Sequence, residues 1–328
     1  MEESKRHKRG RKVKWTYNAC HEEARKYKTV KEFVSANVSC YEVARRHKWL
    51  KDYDWLDTPT RRRYEEAERC KKEFKEKFNE FVPSLRQRVS CENGDWNIKG
   101  YVDAEGNVHP FPFDTKLISA MLQQQIFPYI NEFAKEIGYY IVPASKQNYY
   151  PDCTFVKCDN EKIKFAVDIK TTFRRKDDDD VSFTLGSHGT YFSDRDNSKN
   201  IQFPYNHYKG HFCVGVVYTY VPDANPCIRD FDFFFAEKWK IASDKQGSGN
   251  TANIGSISSL KDIKAESGVF SKLGEEYFDE YWLSYKRKHV EINGKRKPIS
   301  NIWEFLISRG EEDKFNLVGN GAGKKPKD

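Results

Sequence analysis

Between residues 163 and 170 the chain alternates: Ile163, Phe165, Val167 and Ile169 interleave with Lys164, Ala166, Asp168 and Lys170. Side chains of an extended chain point to opposite faces in turn. This period of two predicts a half-buried strand, with Asp168 and Lys170 on the face opposite the apolar row. Elsewhere the period lengthens. Ala67, Cys70, Phe74, Phe78, Phe81 and Leu85 recur at threes and fours after "DTPT" (57–60), whose Pro59 suits a first helical turn. That spacing predicts an amphipathic helix, broken near Pro83. Upstream, "HEEARKYKTVKEFVSAN" and "VSCYEVARRHKWL" set Ala24, Tyr27, Phe33, Tyr41, Ala44 and Trp49 at intervals suited to a small helical core.

From about residue 96 strand and helix patterns mix. "WNIKGYVDAEGNVHPF" predicts a hairpin turning at "AEGN", and "DTKLISAMLQQQIFPYINEFAKEIGYY" a helix interrupted at Pro128. Strands are expected at 153–157 and 163–170, and then in "VSFTLGS", "HFCVGVVYTYV" and "FDFFFAEKWKIASD". "EEYFDEYWLSYKR" and "IWEFLISRG" read as C-terminal helices. The fold class is α+β, a mixed sheet flanked by helices, with a small helical N-terminal domain.

Charge changes the picture. The chain carries +8 over 328 residues. Residues 1–90 hold 25 Lys and Arg against 15 Asp and Glu; the other 238 hold 32 against 34. A basic module on a near-neutral body points to a polyanion, most simply double-stranded DNA. A solubilising basic tail is the plainer reading. No apolar run reaches the length of a membrane span, and no apolar segment follows the basic start, so neither a membrane nor a secretory route is expected. The eight cysteines are scattered without a CxxC pair, which argues against a zinc or disulfide framework and fits a cytoplasmic protein.

Three constellations carry chemistry. In the first, Asp152 follows Pro151, and Asp168 and Lys170 follow after fifteen intervening residues. Breaking a phosphodiester needs a cation to neutralise developing charge and a positioned water. Two carboxylates offer hard oxygen ligands for Mg²⁺, and a neighbouring lysine can orient or help deprotonate water and stabilise the transition state. The competing reading is a solvated strand face with an incidental ion pair. The second is "QGSGNTANIG" (246–255), where glycines allow close backbone approach and Asn can reach adenine in the major groove; an ordinary flexible turn is the alternative. In the third, "SKQNYYPD" (145–152), Gln147 and Asn148 precede the first acid, where amides could reach minor-groove base edges. His207 and His211 have i,i+4 spacing but lack a third ligand, and Asp177–Asp180 reads as a solvated turn.

With "DTK" (114–116), "FTLG" (183–186), "KNI" (199–201), "VYT" (217–219) and "ISRG" (307–310), these segments resemble, in the same order, the EcoRV-like type II restriction endonucleases of the PD-(D/E)XK nuclease superfamily. The resemblance runs from about Ser84 to Glu311. It implies a restriction-endonuclease-like core with a mixed five-stranded sheet. It implies a homodimer gripping duplex DNA, and Mg²⁺-dependent hydrolysis at a short palindrome to leave 5′-phosphates. Asp152 and Asp168 match the metal-binding acids and Lys170 the catalytic lysine. Gly247, Ser248, Gly249, Asn250, Thr251 and Asn253 fall on the major-groove loop, Gln147 and Asn148 on the minor-groove loop, and Lys116 and Lys199 among DNA contacts. Gln123 stands where the pattern has a glutamate, Lys146 where it has a glutamine and Ala252 where it has a threonine. These departures point to a related rather than an identical site preference; a GATATC-like site cut bluntly is the default expectation. A cognate DNA methyltransferase is a partner left open. So are two other readings, a non-cleaving DNA-binding protein and a less specific phage or homing-type nuclease.

Trp15, "ARKYKTVKEF" and "CYEVARRHKWL" resemble a short aromatic motif that recurs beside phage and bacterial nuclease domains, which implies an accessory DNA-binding role. The expected organisation is a disordered basic arm (1–14), a helical module (15–57), a connecting helix (58–83), the endonuclease domain (84–312) and a disordered tail (313–328).

Overall fold

The computed structural model describes residues 15–53, 55, 56, 59–146, 148–247 and 252–323. The expected arm, Gln147, the loop residues Ser248, Gly249, Asn250 and Thr251, and the last five residues lie outside the described residues. The chain divides into two units, Met1–Arg69 and Cys70–Asp328.

In the first unit, α1 (Tyr17–Ala24), α2 (Val30–Ala36) and α3 (Val38–Arg46) enclose Cys20, Ala24, Phe33, Cys40, Ala44, Tyr53 and Leu56. Thr29 and Glu32 form a capping box at the start of α2. Asn37 both ends α2 and caps α3, its side chain accepting from Cys40 N. Arg45, Arg46, His47 and Lys48 are exposed at the end of α3 and just beyond it.

One helix, α4, spans Pro59–Val89. The expected break at Pro83 does not occur. A proline inside a helix costs about 3 kcal/mol. Val82, Leu85 and Val89 are all buried around it, and each such burial returns about 1.5–3 kcal/mol. The second unit begins at Cys70, inside the stretch expected to be a connecting helix. Phe74 packs on Phe165 with ring centroids 4.6 Å apart, and Phe78 stacks on Phe235 at 3.9 Å.

β1 (Gly100–Val102) and β2 (Val108–Pro110) form the expected hairpin. α5 (Thr115–Glu136) also runs through its proline, Pro128, because Ile126, Ile130 and Phe133 keep one buried stripe. The strands that follow are β3 (Tyr139–Pro143), β4 (Cys153–Lys157), β5 (Asn160–Phe173) and β6 (Thr184–Ser187). After the short α6 (Thr190–Ser193) come β7 (Gly210–Tyr220), β8 (Ile228–Glu237), β9 (Ala242–Gln246) and β10 (Asn253–Ser256). α7 (Leu260–Lys264), α8 (Glu275–Ser284), the hairpin β11 (His289–Ile292) and β12 (Lys295–Pro298), and α9 (Ile302–Arg309) complete the order. The main sheet is five-stranded, β3-β4-β5-β7-β8, with β5 and β7 parallel and the other pairs antiparallel. A second sheet, β6-β10-β9, carries the ends of the glycine-rich loop. This is the mixed sheet with flanking helices of the restriction-endonuclease-like fold.

The tail is ordered further than expected. Gly319 N donates to Val269 O, Asn320 N to Ser267 O and Gly323 N to Asp244 Oδ2. Phe315, Val318 and Ala322 pack against the core beside these bonds. Among the described residues no helix is long and apolar enough to cross a membrane.

Candidate active site

Antiparallel pairing sets Cys153 opposite Val167, so Asp152, just before β4, meets Asp168 on β5. The backbone N–H of Asp152 donates to Asp168 Oδ1 at 3.1 Å, and Ile169 N–H donates to Asp152 Oδ2 at 2.7 Å. Lys170 Nζ lies 2.8 Å from Asp168 Oδ2. Asp168 is 4% exposed and the Lys170 side chain 24%.

Burial pushes the Asp152 carboxyl up to about 6; Asp168 adds to this, while Lys170 and the Ile169 N–H pull it back. Burial opposes charge on Lys170, but Asp168 and Asp152 outweigh it and hold the ammonium well above the usual lysine value. Two acids forced together in a half-dry site form a natural seat for a cation. Among the described residues no group of three or more His, Cys, Asp or Glu is set to hold a metal. A cation here would complete its shell with water and substrate oxygens, which suits Mg²⁺.

The three side chains open into a cleft of about 290 Å³, also lined by Asn148, Tyr150 and Asn253. The fold thus gathers the expected acids, the lysine, and one residue from each expected DNA-reading segment. Lys116, in the first turn of α5, Lys199 and Gly247 are exposed and do not line the cleft. Gly247 is required by close approach, since a Cβ there would sit 2.8 Å from Thr184 Cγ2. Gln123 Nε2 donates to Ile169 O at 3.3 Å, bracing the strand between the two charged residues.

His211 is a buried, hydrogen-bonded residue of the core. Its Nδ1 pairs with Tyr150 Oη at 2.8 Å, and burial pushes its pKa well below the ordinary value. One residue escaped the pattern altogether. Lys238 is 1% exposed, and its Nζ lies 4.8 Å from the centre of the Tyr150 ring. In "EKWK" it reads as an ordinary surface lysine.

A mixed sheet that sets two acids and a lysine at the lip of a cleft defines a nuclease of the restriction-endonuclease type. The family model for restriction endonuclease EcoRV matches residues 92–309. The type II restriction enzyme EcoRV of Escherichia coli is 35% identical over 231 residues, covering 66% of this chain and 93% of that protein. The chain belongs to the EcoRV restriction endonuclease family, whose members cleave DNA at specific sequences.

Proposed function

We propose that the protein is a Mg²⁺-dependent type II restriction endonuclease that cuts a short palindrome. The observation that carries this is the hydrogen-bonded set of Asp152, Asp168 and Lys170. Asp152 and Asp168 would hold the cation, which would supply charge neutralisation at the scissile phosphate. Lys170 orients the attacking water and offsets charge on the phosphoryl oxygens. Hydrolysis leaves a 5′-phosphate and a 3′-hydroxyl.

Asn148 and Gln147 read the minor groove, and the 247–253 loop with Gly247, Ser248, Gly249, Asn250, Thr251 and Asn253 reads the major groove. Lys116 and Lys199 contact phosphates. A homodimer matches a two-fold palindrome, with GATATC and a blunt cut as the site to test first. The enzyme acts in the cytoplasm. The first unit adds phosphate contacts through Arg45, Arg46 and Lys48. Replacing these three with Gln lowers the salt slope of DNA binding by up to about three.

The test is a digest of fully sequenced plasmid DNA with Mg²⁺, beside an Asp168→Ala control, with end-sequencing of the products. Discrete cuts at one palindrome that need Asp168 support the reading. Salt-sensitive binding to one sequence without any cut overturns it in favour of a binding protein, and smeared fragments overturn it in favour of a non-specific nuclease.

A further inference from the structure

Lys238 opens the short turn that follows β8. Its neighbours Glu237 and Lys240 belong to an ion-pair network with Lys71 and Lys75. Lys238 Nζ is buried and has no hydrogen-bond partner among the described residues. Desolvating an ammonium without a partner costs several kcal/mol. Two features of the fold offset that cost.

The first is the face of Tyr150, an electron-rich surface that attracts a cation. Tyr150 is itself pinned from other sides. Its Oη pairs with His211, its ring stacks on Tyr191 at 5.3 Å, and its backbone exchanges hydrogen bonds with Asn200 and Gln202. Asp152 lies two residues further along, so whatever fixes Tyr150 fixes the approach to Asp152.

The second is Asp168. The sheet register sets Asp168 beside Cys213 and Cys213 beside Ala236, two residues before Lys238. Burial pushes the Lys238 pKa down to about 8, and the attraction of Asp168 works against that fall. The pull of Asp168 and the tyrosine face both favour the ammonium form. Gly186 adjoins it, for a Cβ there would be in ordinary contact with Nζ at 3.5 Å. Tyr150 and Gly186 line the cleft while Lys238 does not. Tyr150 and Gly186 thus stand between it and the cleft.

We propose that Lys238 is a positioning residue for phosphodiester cleavage: it fixes the Tyr150–Asp152 turn through the tyrosine face and sets a second positive charge, besides Lys170, in the field of the aspartate pair. This rests on the cleavage reading given above. A fixed charge in a dry interior acts at longer range than one in water and needs no reorganisation during reaction. It stabilises charge that builds on the phosphate, and it opposes a cation held by Asp152 and Asp168. Removing it therefore slows cleavage and tightens metal binding, whereas simple packing damage would weaken both.

The experiment uses the full chain with Lys238→Met, which keeps length and removes charge. It reads melting temperature, KM and kcat for DNA, and Mg²⁺ affinity by calorimetry without DNA. The expected result is a protein that melts near wild type, with KM within about twofold, kcat down at least about tenfold and Mg²⁺ bound about threefold more tightly. Wild-type kcat overturns the proposal, and so does a fall in kcat accompanied by weaker Mg²⁺ binding. A wild-type chain that cuts nothing instead overturns the cleavage reading. Should Lys238→Met fail to fold, Tyr150→Leu is compared with Tyr150→Phe, which keeps the ring face. A kcat for Leu at least about fivefold below that for Phe supports the proposal, and equal rates overturn it.

Discussion

The main-chain N–H of Asp152 is bound to Oδ1 of Asp168, while the N–H of Ile169 is bound back to Oδ2 of Asp152. Each acid is thus oriented by backbone belonging to, or adjoining, the other. Asp168→Asn keeps an oxygen at that bond and loses the charge. We expect it to melt near wild type and to lose cleavage by roughly 10³-fold, since metal-assisted charge stabilisation supplies several kcal/mol. Single-turnover digestion beside a thermal melt checks both halves. Chelating the divalent cation should give the same loss in wild type, reversed by adding Mg²⁺.

Glu237 carries a pH prediction for stability. Burial pushes its carboxyl up, but Lys71 and Lys240 outweigh this and bring it to about 2. A depressed carboxyl contributes stability above its unfolded value, near 4.5, and loses it as pH falls towards 2. Glu237→Gln should therefore cost up to about 3 kcal/mol at pH 7. The gap should close between pH 4.5 and pH 2. Denaturant melts of both proteins across that window decide it; a gap that persists at pH 2 counts against the assignment.

Gly255 on β10 cannot take a side chain quietly. A Cβ there would lie 2.7 Å from Lys245 O on β9, and the obstacle is backbone that cannot rotate away. Gly255→Ala should cost about 1–3 kcal/mol of stability and splay the loop that β9 and β10 carry. A rise in KM for the cognate site larger than the fall in kcat would be its kinetic mark.

Asn253 and Lys199 should separate base reading from phosphate contact. Asn253→Ala should weaken cleavage at the cognate site by about 1–3 kcal/mol while leaving the salt dependence of binding alone. Lys199→Ala should weaken binding to all sequences alike and lower the salt slope by about one. Binding isotherms at several salt concentrations, on cognate and scrambled duplexes, measure both.

Local pattern made part of this legible. Alternation alone put Asp168 and Lys170 on one strand face, because side-chain period depends only on extended backbone. The meeting of Asp152 with Asp168 depends on the register between β4 and β5, and periodicity carries no information about register; there the family resemblance supplied the pairing. Pro83 and Pro128 were misread as helix breaks because composition shows the missing N–H but not the buried stripe that outweighs it. The ordered tail was missed because its anchors, the packed Phe315 and Val318 and the backbone bonds to Ser267 and Val269, are scattered through a glycine-rich and charged stretch without a period. Lys238 was invisible for a related reason. Its burial comes from strands and a tyrosine distant in sequence, and nothing in "EKWK" announces it.

The second half of α4 has a practical consequence for anyone trimming the gene. The family match starts at residue 92, so a shortened version cut there would discard Phe74 and Phe78. Phe155, Phe165 and Phe235 would then face water, and Glu237 would lose Lys71 and Lys75. A bared aromatic trough is a self-association hazard, and a buried acid left with Lys240 alone destabilises its surroundings. Such a version should come out of expression as aggregate, while one that begins at Cys70 keeps the lid on its own core and should stay in the supernatant.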